Sequence, residues 1–322
     1  MKKILFLALF FIVCLAVSSC SLNKIVINKV SDTLSGTGFN TVFMGDTDPQ
    51  LVGDALPFAI KMYETLLAQN PNHPGLIVTT GSLFVMYANA FVQGPAEMLP
   101  LSQYEEKRFQ MIRAKNLYLR GVQILERGIN NKYPDLLGEW GPVENPEFTK
   151  ALSAIKKEDI SLFYWYAAGT LSAYALDAFD ISLGLRVPQI MAIMNRAYEL
   201  DGNYNSGAID ELFLIVYGAL PDGMGGDTEK ALIHYKRALE KSNGQTAGPY
   251  VSYAQTVAVN AQDYEEFKKN LEMALAIDPA ADQNNTLVNI INQRKARHLL
   301  AKAPELFVDL EQWDDFDYDD EY

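Results

Sequence analysis

The chain has 322 residues and a formal net charge of −13, with 49% hydrophobic residues, 21% charged residues and only two cysteines. That apolar share is enough for a sizeable core. The acidic balance lacks the basic footprint of a nucleic-acid binder, and two cysteines cannot build a disulfide framework.

The N-terminus reads as an export signal. Met1-Lys2-Lys3 is a short cationic start, and the run from Ile4 to Val17 carries no charge. Fourteen residues make a helix of about 21 Å, too short for a bilayer core of about 30 Å but suited to the apolar segment of a signal peptide. The run ends Val17-Ser18-Ser19-Cys20. Small residues before a cysteine form a lipobox, so 1–19 is expected to be removed and Cys20 to carry the lipid. Cys14 then leaves with the signal, and no free thiol remains for catalysis or metal ligation. Loss of Lys2 and Lys3 takes the net charge to −15; eight acids between Asp309 and Glu321 account for about half of it.

Residues 20–48, with Gly36, Gly38 and Gly45 among many Ser, Thr and Asn, read as a tether. From Asp48-Pro49 the periodicity is helical: Leu56, Ile60, Tyr63 and Leu67 fall on one helix face. The expected helices are 49–69, 75–93, 104–130, 158–180, 188–200, 205–219, 226–242, 246–260, 263–277 and 283–302. Prolines and glycines separate them, among them Pro71, Pro74, Pro95, Pro100, Pro188, Pro221 and Pro279. No convincing alternating strand pattern interrupts them, so the fold class is all-α. Residues 308–322 form an acidic tail that repels itself and is expected to be disordered.

The helices read as pairs. The endings Leu66-Leu67-Ala68-Gln69-Asn70-Pro71, Ala197-Tyr198-Glu199-Leu200-Asp201-Gly202 and Ala274-Leu275-Ala276-Ile277-Asp278-Pro279 resemble the end of the second helix of a tetratricopeptide repeat. Ala231, Tyr235 and Ala238, then Phe267, Leu271 and Ala274, fill the small–large–small positions of second helices. Tyr250, Tyr253, Ala254 and Val257 sit at the packing spacing of a first helix. The register slips between pairs, giving a degenerate tetratricopeptide-like superhelix of helix hairpins over 49–307. It has four or five pairs and a terminal helix whose Gln293, Arg294, Lys295 and Arg297 suit a polar cap.

Chemical motifs are sparse. His73, His234 and His298 lie on three different segments, which argues against zinc. No Gly-x-Ser-x-Gly elbow occurs. Gly223-Met224-Gly225-Gly226-Asp227 lacks the Lys and Ser/Thr of a phosphate loop and reads as a turn capped by Asp227. Asp46, Asp48 and Asp54 lack the Gly and Glu of a calcium loop and read as turn and cap residues. The run Phe163-Tyr164-Trp165-Tyr166 covers every side of a helix. Either that helix is buried on two sides, or one or two of its rings line a groove for an apolar ligand or a partner peptide. Trp165, Tyr166 and Gln255 are the groove candidates, because such a groove is lined by first helices.

Across 45–307 the chain resembles the T-component of tripartite ATP-independent periplasmic (TRAP) transporters. The resemblance rests on Asp48-Pro49-Gln50-Leu51-Val52-Gly53-Asp54-Ala55-Leu56-Pro57-Phe58, Tyr87-Ala88-Asn89-Ala90-Phe91-Val92 with Pro95-Ala96-Glu97, and Leu117-Tyr118-Leu119-Arg120-Gly121. Trp165-Tyr166-Ala167-Ala168, Gly225-Gly226-Asp227 with Lys230-Ala231, and Arg294 through Leu300 complete it. It implies a lipid-anchored periplasmic protein, not an enzyme and without a cofactor, that pairs with the solute-binding P-component. It also implies a homo-oligomer, a trimer, with an apolar cavity that passes a hydrophobic small molecule. The residues alone leave two other readings open: a generic repeat scaffold for envelope assembly, and a hydrolase with an unrecognised site.

Overall fold

The computed structural model describes residues 42–138, 145–221 and 225–308, with Lys29, Thr33 and Gly223 besides. Cys20 and its signal, most of the tether and the acidic tail from Asp309 lie outside the described residues. Among those described, the chain is helical throughout and contains no strand.

Five of the helices start where a polar side chain supplies an acceptor for free backbone N–H groups. Helix α1 (Pro49–Gln69) is capped by Asp48, whose Oδ1 accepts from Gln50 N at 2.9 Å and Leu51 N at 3.1 Å. Its face of Leu56, Ile60, Tyr63 and Leu67 is buried, as the periodicity predicts. Helix α2 (Pro74–Glu97) is capped by His73 and runs through a π-helical turn over Ala88–Gln93. By length and composition it could cross a membrane, but it is a core helix, with more than half of its most apolar window buried in the protein.

Helices α3 (Tyr104–Lys132), α4 (Pro146–Ser153), α5 (Ile160–Leu176), α6 (Val187–Leu200), α7 (Ala208–Ala219) and α8 (Thr228–Lys241) follow. Then come α9 (Ala247–Tyr253, continued by a π-helical turn over Ala254–Ala258), α10 (Tyr264–Leu275) and α11 (Thr286–Ala301). Four hairpins result: α2 with α3, α5 with α6, α7 with α8 and α9 with α10. Their first helices also meet neighbouring hairpins, α2 touching α5 and α7 touching α9. Helix α1 packs on α2, and α11 packs on both α9 and α10.

Small residues set how closely these helices approach. Ala231, Ala238, Ala254 and Ala274 have no accessible surface. A Cβ on Gly121 would stand 2.8 Å from the carbonyl oxygen of Gly81, so α2 and α3 cross almost backbone to backbone there. The expected boundaries hold to within a few residues, with physical reasons for the larger shifts. Helix α7 begins at Ala208 rather than 205 because Asn205, Ser206 and Gly207 adopt φ of 43°, 53° and 96°. Helix α5 ends at Leu176 because Asp177 and Asp180 turn back to hold Lys115 on α3, at 2.7 and 2.9 Å. Helix α4 falls outside the expected helices, although Asn145 caps it and Pro146 opens it.

Two main cores divide the chain. One gathers α1 to α7, and the other gathers α9 to α11 with Phe307. Helix α11 belongs to both, through Leu287 in the first and Ala296 and Leu299 in the second. It also touches α1, and Lys295 reaches Glu97 at the end of α2, at 3.5 Å. The last helix therefore returns to the first hairpin instead of ending in solvent. Its Gln293 is buried and donates to the carbonyls of Ala274, Leu275 and Ile277, at 3.1, 3.3 and 2.7 Å. Asn289 bonds Ala247 N and Gln245 O. Two inward amides thus tie off the end of α10 and the start of α9, whereas Arg294 and Arg297 remain exposed.

Candidate functional site

The aromatic run of α5 divides by face. Phe163 and Tyr166 are core residues, 0% and 3% exposed. Tyr164 and Trp165 are half-buried and touch edge to face, with ring centroids 5.2 Å apart. Tyr164 also meets Tyr204, at 5.3 Å. Tyr166 lies with Arg186 and Glu126, and burial raises its phenol to about 12. Gln255 is half-buried within the π turn of α9, one turn beyond Ser252. Of the three sequence candidates, Trp165 and Gln255 thus keep accessible surface on first helices, while Tyr166 sits in the core.

A polar group that the sequence did not single out lies on α7. Glu211 Oε1 accepts from Ser252 Oγ of α9 at 3.1 Å, and its carboxylate packs directly against Gly248, where a Cβ would come within 2.4 Å. Desolvation by burial raises its pKa above the ordinary value. The hydroxyl of Ser252 and the charge of Lys295 on α11 act against that shift. Burial first, then the charge of Glu211, also raises the Tyr164 phenol. Ile215, one turn along α7 from Glu211, is 42% exposed. Residues from α5, α7, α9 and α11 thus share one electrostatic environment in which an acid stands among aromatic and aliphatic side chains.

The neighbouring residue does the opposite job. Asp210 has no accessible surface and ties α7 to α8: Oδ2 accepts from Lys241 Nζ at 2.5 Å, and Oδ1 faces His234 Nδ1 at 2.8 Å. Lys241 also donates to Gly202 O and Tyr198 OH. Burial lowers the Lys241 pKa, but the hydrogen bonds to Asp210 and Tyr198 and their charges together outweigh it and leave it raised. Its partners are all within the protein, so this is a structural clamp beneath the positive-φ turn of 205–207.

The remaining motifs have structural employment. His73 caps α2, His234 stacks against Tyr217, and the His298 imidazole is lowered by burial and by nearby Lys302 and Lys107. Asp48 caps α1 and Asp227 caps α8, the latter accepting from Lys230 N at 3.0 Å. Asp46 Oδ1 accepts from Asp48 N in the turn before α1. Among the described residues, no three His, Cys, Asp or Glu side chains are grouped to hold a metal ion.

Stacked helix hairpins with alanine at their contacts define a helical-repeat protein. The chain belongs to the TRAP transporter T-component family, whose model matches residues 45–307. The match ends at Phe307, whose ring closes the second core against Phe267 and Tyr264. The chain is also 32% identical over 308 residues to an uncharacterized protein of Treponema pallidum (strain Nichols), a span covering 92% of this chain and 95% of that one. Membership makes it a component of a membrane-associated transport system.

Proposed function

We propose that this chain is a lipid-anchored periplasmic adaptor that associates with the solute-binding P-component of a TRAP transporter and helps transfer a hydrophobic ligand. Cys20 carries the anchor, the repeat domain is not an enzyme, and the protein works as a homo-oligomer, a trimer. Family membership supports the transporter setting. The observation that carries the ligand role is the environment of Tyr164 and Glu211. Both keep some accessible surface, yet burial raises the pKa of each, so they stand at the edge of the packed interior and not in open solvent. The ligand would lie against this surface, with Trp165 beside Tyr164 and the exposed Ile215 one turn from Glu211 as its apolar part, and Glu211 with Ser252 as its polar end. An amphiphile with an alkyl or aromatic body fits such a surface.

The test compares two neighbouring rings. Trp165→Ala is expected to reduce the amphiphile retained by the purified protein in native mass spectrometry, with little change in melting temperature. Tyr166→Ala, in the core, is expected to cost about 3–5 kcal/mol of stability. Equal ligand retention by wild type and Trp165→Ala, alongside a collapsed melt for Trp165→Ala, would make Trp165 a core residue and remove the ligand role.

A further inference from the structure

Helix α3 combines net positive charge with exposed apolar side chains. In a chain of net charge −13, it carries seven Lys or Arg residues and three Glu. Its N-terminal half and the turn before it also display large apolar side chains: Leu101 is 81% exposed, Tyr104 59%, Phe109 61% and Ile112 53%. Phe109, Ile112, Arg113, Asn116, Leu117 and Arg120 line a shallow concavity of about 340 Å³. These residues recur at three- and four-residue steps, so the concavity follows one stripe of the helix.

Both arginines are held at its wall. Arg120 lies over the Phe84 ring at 4.8 Å and pairs with Glu64 on α1. Arg113 lies over the Tyr87 ring at 5.7 Å and donates to Gln110 Oε1 and Tyr87 OH, both neutral. A fixed guanidinium on neutral partners, beside exposed phenyl and isoleucyl groups, calls for an occupant that is both anionic and aromatic. Contiguous exposed apolar surface of this kind usually has a partner.

The chain contains one segment with that chemistry. Residues 309–322 hold eight Asp or Glu, no Lys or Arg, and Trp313, Phe316, Tyr318 and Tyr322 spaced among the acids. The segment also starts within reach. Lys295 of α11 pairs with the Glu97 carboxylate, and Lys107 in the first turn of α3 donates to the Glu97 carbonyl at 3.3 Å, so α11 and α3 meet at one residue. From Lys295 to Val308 the chain covers on the order of 20 Å, and Arg113 lies about 9 Å along α3 from Lys107. Fourteen residues span up to about 46 Å when extended, which exceeds that separation.

We propose that the acidic, aromatic segment 309–322 docks within its own chain on the apolar, arginine-bearing stripe of α3 lined by Phe109, Ile112, Arg113 and Arg120. Its aromatics cover Phe109 and Ile112, and its carboxylates face Arg113 and Arg120. Tethering makes the contact intramolecular, so modest contact energy suffices because the local concentration of the segment is on the order of millimolar.

The experiment places the photo-crosslinker p-benzoylphenylalanine at position 109 of the full chain and maps the products by mass spectrometry. The expected product has the mass of one chain and joins position 109 to a peptide from 309–322. Arg113→Glu should lower its yield about fivefold or more, the effect of losing and reversing a partly exposed ion pair. Neutralising the eight acids to Asn and Gln should do the same without altering the melt, and 0.5 M salt should weaken the contact. A crosslink to a co-purified lipid or another protein, a crosslinked dimer, or efficient labelling that avoids 309–322 would overturn the proposal.

Discussion

Adjacent residues on a helix point about 100° apart, and Asp210 and Glu211 show what that does to two carboxylates. One is locked between Lys241 and His234. The other faces the interior with Ser252 as its hydrogen-bond donor. Glu211 therefore lends itself to a test with a definite sign. Its folded-state pKa is raised above the ordinary 4.5 by burial, so the folded protein binds a proton that the unfolded chain has already released. Stability should fall as pH rises from about 4.5 through the folded-state value. Glu211→Gln removes the charge and keeps an acceptor for Ser252. Its stability is expected to exceed wild type at neutral pH, with the difference shrinking toward pH 4, as read from denaturant titrations across that range. A variant less stable than wild type at pH 7 would contradict the assignment. None of this was legible beforehand, because "Asp-Glu" early in a helix reads as an N-terminal charge preference. The small residues were legible. Ala231, Ala238, Ala254 and Ala274 were placed at contacts by spacing alone, and all are fully buried. Ala274→Trp should overpack its contact by about 1–3 kcal/mol or more; an unchanged unfolding midpoint would mean the contact can open.

Element by element, the sequence revealed what local rules govern. The period of 3.6, the Asp48 and Asp227 caps and the proline breaks located ten helices, and their two-by-two pairing followed from repeated endings. What it hid depends on tertiary context. The π turns at Ala88–Gln93 and Ala254–Ala258 have no marker residue, since the extra residue is accommodated by packing. The early end of α5 depends on a lysine some sixty positions upstream. That tie also carries a testable pH window. The Ser182 hydroxyl, then Lys115, holds the Asp180 carboxyl down to about 2. A depressed acid contributes stability above its ordinary value near 4 and loses it as pH falls toward 2. Lys115→Met should therefore speed hydrogen exchange in 177–185 at pH 6, and wild type and variant should converge near pH 2 once intrinsic rates are corrected. Equal exchange at pH 6 would show that Leu183, buried in its own cluster, holds the loop without the lysine.

At the scale of the whole molecule, the decisive feature is the return of α11. An open superhelix exposes its inner face along its length, whereas here Leu287 joins the N-terminal core and Lys295 closes on Glu97. Single-helix patterning cannot reveal this, because Gln293 and Lys295 look like the polar exterior of a capping helix. Burial turns one into a clamp on α10 and the other into a bridge to α2. The consequence is that α11 belongs to both cores at once, with Lys295 bridging to Glu97 while its charge also acts on Glu211. The proposed transporter role predicts the company this protein keeps in its native envelope. Affinity purification of the full chain from solubilised membranes, followed by mass spectrometry of protein and lipid, tests it most directly. A TRAP-type solute-binding protein recovered with the chain, at levels reduced in the Cys20→Ala form that cannot be lipidated, is the expected result. Recovery of envelope-assembly proteins with no solute-binding protein, from membranes in which that binding protein is demonstrably present, would contradict it.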